Sequence, residues 1–215
     1  MAVPEPLALE IRPFAQRPYL ECLEEMRGLA AARAKDEIPD TLLLVEHEGV
    51  YTAGRRSTFE QEQVAPGIQL IEVERGGRVT WHGPGQLVAY PICKLEGRAR
   101  DLHAWLHLLE NSCIDVLASC DLPGRRDPAG TGVWTGPRKI ASIGIAVKRW
   151  VTLHGAALNV SSDLSVYSRV QPCGFEASVM TSLERELAPA PPPSLADLAD
   201  RFAHAFEARL RQLPQ

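Results

Sequence analysis

Two runs of β-branched and small residues, Lys139–Val147 and Val151–Val160, flank Lys148-Arg149-Trp150. Their composition and spacing read as a hairpin, although the turn lacks the usual glycine or asparagine. If Arg149 and Trp150 form a two-residue turn, Gly144 faces Gly155 and Ser142 faces Ala157. Ser142, Gly144, Ala146, Gly155 and Ala157 then share one face. Such a face is either a trough for a thin apolar group or a seat for a close-packed helix; both need small residues. On the same strand Lys139 is expected to share the opposite, apolar face with Ala141, Ile143, Ile145 and Val147.

The rest of the chain must build around this hairpin. Leu7–Ile11, Thr41–Val45, Gln69–Val73 and Gln86–Ile92 read as further strands. Tyr19–Lys35 is helical in composition. Asp101–Cys120 is a helix whose Leu102, Trp105, Leu106, Leu109, Cys113, Val116, Leu117 and Cys120 recur at helical spacing, with Asp101 as N-cap. Residues 188–193 form a stiff proline-rich connector. Ser194 and Asp197 then start a last amphipathic helix, Leu195–Leu213, in the manner of a capping box. The strands and helices do not alternate regularly, which favours an α+β fold with a mixed sheet over a doubly wound one. The expectation is a single domain over 1–215, closed by the helix at 194–213.

Composition narrows the function classes. The net charge is −4, so nucleic acid is not expected as a partner. Five cysteines without a C-x-x-C spacing point away from a disulfide framework and toward a reducing, cytoplasmic setting. No basic stretch followed by an apolar one opens the chain, and no apolar run reaches membrane-spanning length. No His/Asp/Glu spacing suggests a metal.

The chemistry concentrates in three places. Arg75–Gln86, RGGRVTWHGPGQ, holds Gly76, Gly77, Gly83 and Gly85 beside His82. So many glycines imply a tight turn or a ligand against the backbone. The segment is not a phosphate-binding loop of the G-x-x-x-x-G-K-[ST] kind. Cys173 sits between Pro172 and Gly174. It is either a small buried hydrophobe or a thiol presented to a cleft. Lys139 is either a strand-end lysine reaching for water or a partly desolvated base. His82 and His154 each precede a glycine and could serve as base or as hydrogen-bonding scaffold.

Together these stretches resemble the lipoyl(octanoyl) transferases of lipoate biosynthesis. The resemblance is carried by Leu43–Arg55 (LLVEHEGVYTAGR), Arg75–Gln86, Arg138–Gly144 (RKIASIG), Leu153–Val160 (LHGAALNV) and Val170–Gly174 (VQPCG), with Thr181-Ser182-Leu183 after it. It covers residues 7–187. Ala156 stands where the family often has leucine, and the stretch between Gly174 and Thr181 is less typical.

The resemblance implies a fold like that of the biotin and lipoyl protein ligases. It implies transfer of an octanoyl group from octanoyl-acyl carrier protein to a lysine of a lipoyl domain, in a 2-oxoacid dehydrogenase or the glycine-cleavage H protein. Cys173 would carry the acyl thioester, and Lys139 would lower its pKa. Arg75, Gly76, Gly77, Arg78, Val79, Thr80, Trp81 and His82 would bind substrate, with Ser142, Ile143, Gly144, Gly155, Ala156 and Ala157. No cofactor or metal is implied, and a monomer is expected. Because the carrier and the lipoyl domain are acidic, a basic rim is expected around the cleft, with Arg55, Arg56, Arg75 and Arg78 as the docking set. An ATP-dependent ligase, a non-catalytic carrier-binding protein and a cysteine hydrolase are the competing readings.

Overall fold

The computed structural model describes residues 9–57, 67–128, 130–169 and 177–213. Its strands are β1 (Glu10–Ile11), β2 (Ala15–Arg17), β3 (Thr41–His47), β4 (Val50–Ala53), β5 (Gln69–Glu72), β6 (Thr80–His82), β7 (Gln86–Ile92), β8 (Arg125–Asp127), β9 (Gly130–Thr135), β10 (Arg138–Lys148) and β11 (Val151–Asn159). Its helices are α1 (Tyr19–Arg33), α2 (Leu102–Ala118), the short α3 (Leu183–Leu187) and α4 (Leu195–Leu210). The large sheet runs β1-β3-β7-β11-β10-β9-β8, with β2 also on β3; a small sheet runs β5-β4-β6. β1 and β2 lie parallel to β3, while β3-β7 and β7-β11 are antiparallel, so the large sheet is mixed.

Strand alternation sorts the sheet into two faces. Leu42, Leu44, Leu87 and Leu158 point to a layer formed by α2 and α4, where Trp105, Cys113, Phe202 and Phe206 are buried. Leu43, Val45, Val88, Tyr90 and Leu153 point the other way, toward Tyr19, Cys22, Leu23 and Met26 of α1. Each large side chain in these layers contributes about 1.5–3 kcal/mol by leaving water. The helix starts follow the expected caps. Asp101 accepts from the N–H of His103 and Ala104, and Ser194 accepts from that of Asp197. α4 ends at Leu210, short of the expected Leu213.

The hairpin has the expected register, with Ser142 opposite Ala157 and Gly144 opposite Gly155. Arg149 and Trp150 form the turn with φ of 53° and 62°, the left-handed pair of a type I′ turn. Two contacts compensate for the missing glycine. The N–H of Leu95 donates to Trp150 O at 2.7 Å, and the Arg100 guanidinium lies 5.0 Å from the Trp150 ring centre.

Two expectations need correction. The sequence reading missed β2, β4, β6, β8, β9 and α3, and β6 lies inside the glycine segment, paired with β4. Lys139 also does not follow the alternation of Ala141 and Ile143. The β9 register shifts between Lys139 and Ala141, leaving Ile140 as an extra residue. Such a bulge re-aims the side chains before it. Ile140 and Ala141 both join the core, and Lys139 crosses Gly132 instead.

Candidate active site

A cleft of about 420 Å³, its open mouth included, lies between the hairpin, the glycine segment and the α1 side of β7. One wall is the small-residue face. A Cβ at Gly144 would meet Arg75 Cδ at 3.2 Å, Gly76 O at 3.3 Å and Arg75 Nη1 at 3.9 Å, tight contacts that a small shift of the Arg75 loop would relieve. Gly155 differs, since a Cβ there would stand 2.2 Å from Ala89 O on β7. Gly144 thus lets the Arg75 loop come close across the cleft, whereas Gly155 lets two strands approach beside Pro91, which has no N–H for the ladder.

Arg75 builds the opposite wall. Its Nη2 donates to Thr52 O at 2.7 Å and Thr52 Oγ1 at 2.8 Å, and its Nη1 to Arg78 O at 2.8 Å and Gly76 O at 3.0 Å. The N–H of Gly76 donates to Ile145 O at 2.9 Å, tying the loop to β10. Arg75 is 6% exposed and acts as a staple for the loop. It therefore leaves the expected docking set; Arg55, Arg56 and Arg78 are solvent-exposed.

The floor is polar and buried. His82 stacks on Tyr19 at 5.9 Å and meets His47 edge-on at 6.1 Å. Burial first, and the neighbouring His47 second, lower its pKa to about 3. Its Nδ1 donates to Gln86 Oε1 at 2.8 Å. Gln86 cannot turn over, because its Nε2 donates to Asn159 Oδ1 at 2.9 Å, and Asn159 Nδ2 donates to Thr181 O at 3.0 Å. His82 is thereby a neutral imidazole with Nε2 as its acceptor. His47 donates from Nδ1 to Arg17 O and accepts from Tyr90 OH on Nε2, both at 2.9 Å. Burial lowers its pKa to about 4.

Among the described residues at the cleft, the buried Thr80 Oγ1 and His154 Nε2 have no hydrogen-bond partner. Glu74 Oε2 is 3.7 Å from His154 Nε2, too long for a hydrogen bond. Burial lowers the His154 pKa, against the pull of Glu74. A ligand that hydrogen-bonds to both atoms would satisfy them.

Lys139 stands at the start of β10, outside the cleft lining, and is 1% exposed. Its Nζ donates to Thr131 O at 2.8 Å. The N–H of Thr181 donates to Lys139 O at 2.9 Å, which joins this strand to the same network that orients His82.

Of the residues expected to bind substrate, Arg75, Gly76, Gly77, Thr80, His82, Ser142, Ile143, Gly144, Gly155, Ala156 and Ala157 line the cleft. Val79 and Trp81 point away, into a small core with Tyr51 and Tyr167. Cys173 lies outside the described residues. Val88, Tyr90 and His154 also line the cleft. Val88 sits opposite Ala157 once β7 pairs with β11, a non-local pairing that the local pattern does not reveal. Among the described residues no group of three or more His, Cys, Asp or Glu is placed to hold a metal ion.

The sequence model of the lipoyl protein ligase A/B catalytic domain matches residues 18–207. An octanoyltransferase of Geobacter metallireducens is 44% identical over 204 residues, covering 93% of this chain and 94% of the relative. One of Gloeobacter violaceus is 50% identical over 164 residues, 75% of this chain and 74% of the relative. Among solved structures, a lipoate-protein ligase A bound with ATP superposes with a TM-score of 0.71 at 17% identity, over 94% of this chain and 85% of that one. The biotin protein ligase of Aquifex aeolicus with biotin and ATP gives 0.56 at 13% identity, over 95% and 70%. At these identities the structures show the shared fold, and the close relatives show the branch. The chain belongs to the lipoyl protein ligase A/B catalytic-domain family, among its octanoyltransferases.

Proposed function

We propose that this chain takes an octanoyl group from the phosphopantetheine thioester of acyl carrier protein onto Cys173. It then passes the group to the ε-amine of a lysine on a lipoyl domain or H protein. The observation that carries this reading is the seat of Lys139, a buried lysine whose strand is bonded to Met180 and Thr181, which follow Cys173 in the chain. The strand bridge Lys139–Met180 and the bond from Thr181 N anchor that side. On the other side Tyr51 OH donates to Val166 O at 2.8 Å, beside the cleft floor.

In the first step Lys139 takes the Cys173 proton, the thiolate attacks the thioester carbonyl, and the pantetheine thiolate leaves and is reprotonated from Lys139. In the second step the acceptor amine attacks the Cys173 thioester. The Cys173 thiolate leaves as the amide forms, and the amine's proton passes through Lys139 onto that thiolate, restoring the thiol. The cleft between Gly144 and the Arg75 loop takes the acyl chain. Exchange of a thioester for an amide is downhill and draws on no nucleotide.

Carrier docking uses the exposed Arg55, Arg56 and Arg78. Their loops are joined by bonds from Arg55 N to Arg75 O and Arg56 N to Gly77 O, both 3.0 Å. Electrostatic docking of this kind weakens with salt.

The test is intact mass after mixing with octanoyl carrier protein in the absence of acceptor. The mass rises by one octanoyl group, hydroxylamine removes it, and Cys173→Ser takes none. A Cys173→Ser protein that still transfers octanoate when given ATP sinks the proposal in favour of a ligase.

A further inference from the structure

One peptide near Lys139 is gripped from both sides. The N–H of Gly132 donates to Glu110 Oε1 at 3.0 Å, and the carbonyl of Thr131, in the same peptide, accepts from Lys139 Nζ at 2.8 Å. In a trans peptide the N–H and C=O point in opposite directions. Glu110 Oε1 and Lys139 Nζ therefore sit at opposite ends of a single peptide, an acid at the positive end of its dipole and a base at the negative end.

This arrangement is built in. Glu110 is 4% exposed on α2, a helix otherwise occupied with the apolar layer. Gly132 has φ +136°, and a Cβ there would stand 2.6 Å from Lys139 Cε, so glycine is what lets the lysine stem cross it. The neighbouring Arg138 is engaged by Glu186 at 2.7 and 2.8 Å. The Trp134 ring centre lies 5.9 Å from Lys139 Nζ. The Gly132 N–H alone needs only an acceptor, which a glutamine would supply without the cost of burying a carboxylate. A carboxylate polarises the peptide further and strengthens its carbonyl as a partner for a cation.

We infer that Glu110 is a positioning residue, which holds Lys139 as an ammonium through the Thr131–Gly132 peptide. It thereby favours the ammonium–thiolate pair with Cys173 over the amine–thiol pair. The inference rests on the reading above that Cys173 is the nucleophile and Lys139 its partner. The two forms differ only by movement of the Cys173 proton to Lys139 Nζ, so no proton enters or leaves. Glu110 touches no reacting atom.

The experiment compares iodoacetamide alkylation of Cys173, followed by peptide mass, in the wild type and in Glu110→Gln. Glutamine keeps an acceptor for Gly132 N and removes the charge. Alkylation of Cys173 should slow about 10-fold, below the roughly 10²–10⁴-fold that a proton-transferring group itself supplies. The kcat for octanoyl transfer should fall in parallel, while KM for the carrier protein stays. A folded Glu110→Gln with the wild-type alkylation rate overturns the inference. Should Glu110→Gln not fold, Glu110→Asp keeps the charge but withdraws it by one methylene. Slower alkylation then supports the inference, and an unchanged rate overturns it. If wild-type Cys173 forms no octanoyl adduct at all, the nucleophile reading falls and takes this one with it. A normal adduct with an indifferent Glu110→Gln removes this inference alone.

Discussion

Two stretches of β10, at Lys139 outside the cleft lining and at Gly144 within it, are built by opposite means. At its start, Lys139 contributes by the presence of a side chain, buried and aimed by a bulge. Further along, Gly144 contributes by the absence of one, in undisturbed register with Gly155. The first end is irregular backbone holding a charge; the second is regular backbone holding a space. A substitution at the Lys139 end should therefore affect every acyl donor alike. One at the Gly144 end should discriminate by chain length.

The largest effect is expected at the irregular end. Lys139→Met keeps most of the stem and removes Nζ. Transfer should fall by roughly 10²–10⁴-fold, the range for loss of a proton-transferring group. Octanoyl and butanoyl donors should lose in the same proportion, with unfolding still cooperative. A loss confined to octanoyl donors would move Lys139 from the chemistry to the acyl wall.

Gly155 looks like a twin of Gly144 by register and is not one. Gly155→Val forces a branched side chain against Ala89 O and Pro91 Cδ, within 2.2 and 2.8 Å of the Cβ position. Overpacking at a sheet junction should cost about 3 kcal/mol or more, seen as a lower urea midpoint. Activity toward short and long donors should drop together. A normally folded variant that loses only octanoyl transfer would return Gly155 to the acyl wall.

This contrast also marks what could be read from the residues. The hairpin register was legible because period-two alternation and a two-residue loop leave few alternatives. The caps at Asp101 and Ser194 were legible because capping is local chemistry. The bulge at Ile140 was not, because it depends on how β9 pairs with β10 and leaves no composition signal. β6 hid because Thr80–His82 is too short to show a period. Arg75 read as a docking cation because its carbonyl partner, Thr52, lies on another strand. Glu110 gave no signal for the same reason, because its partner Gly132 lies on another element.

The floor between the two ends should announce itself through pH. His47 and His82 have folded pKa values of about 4 and about 3, below the usual histidine value of about 6.5. The unfolded chain therefore binds more protons between those values. Stability is fully present above pH 6.5 and is lost as pH falls toward the folded values. At pH 5 each histidine should remove about 2 kcal/mol relative to pH 7.5. The groups facing them are Arg17, Tyr19, Tyr90, Gln86, Arg75 and His154, none a carboxylate that would reverse the sign. Urea unfolding at the two pH values measures the slope, and His47→Gln or His82→Gln should each flatten it by about one proton. A slope unchanged in both variants would place the titration elsewhere.

The smallest effect is expected at Gly144, and it is the sharpest test of the regular end. A methyl there meets Arg75 Cδ at 3.2 Å and Gly76 O at 3.3 Å, close but without a backbone collision. Replacing a strand glycine also restricts the unfolded chain, which stabilises by roughly 0.4–1 kcal/mol where the conformation allows it. The strain and this gain oppose each other, so stability should stay within about 1 kcal/mol of wild type. The methyl nonetheless occupies cleft space facing the Arg75 loop. Octanoyl transfer by Gly144→Ala should fall about 10-fold in kcat/KM, the scale on which a pocket senses a methylene. Butanoyl transfer should hold, since a short chain need not reach that depth. Equal loss for both donors would mean that the methyl displaces the Arg75 staple and with it the whole wall. No loss for either would mean that the acyl chain runs elsewhere and that Gly144 serves only the packing of the loop on β10.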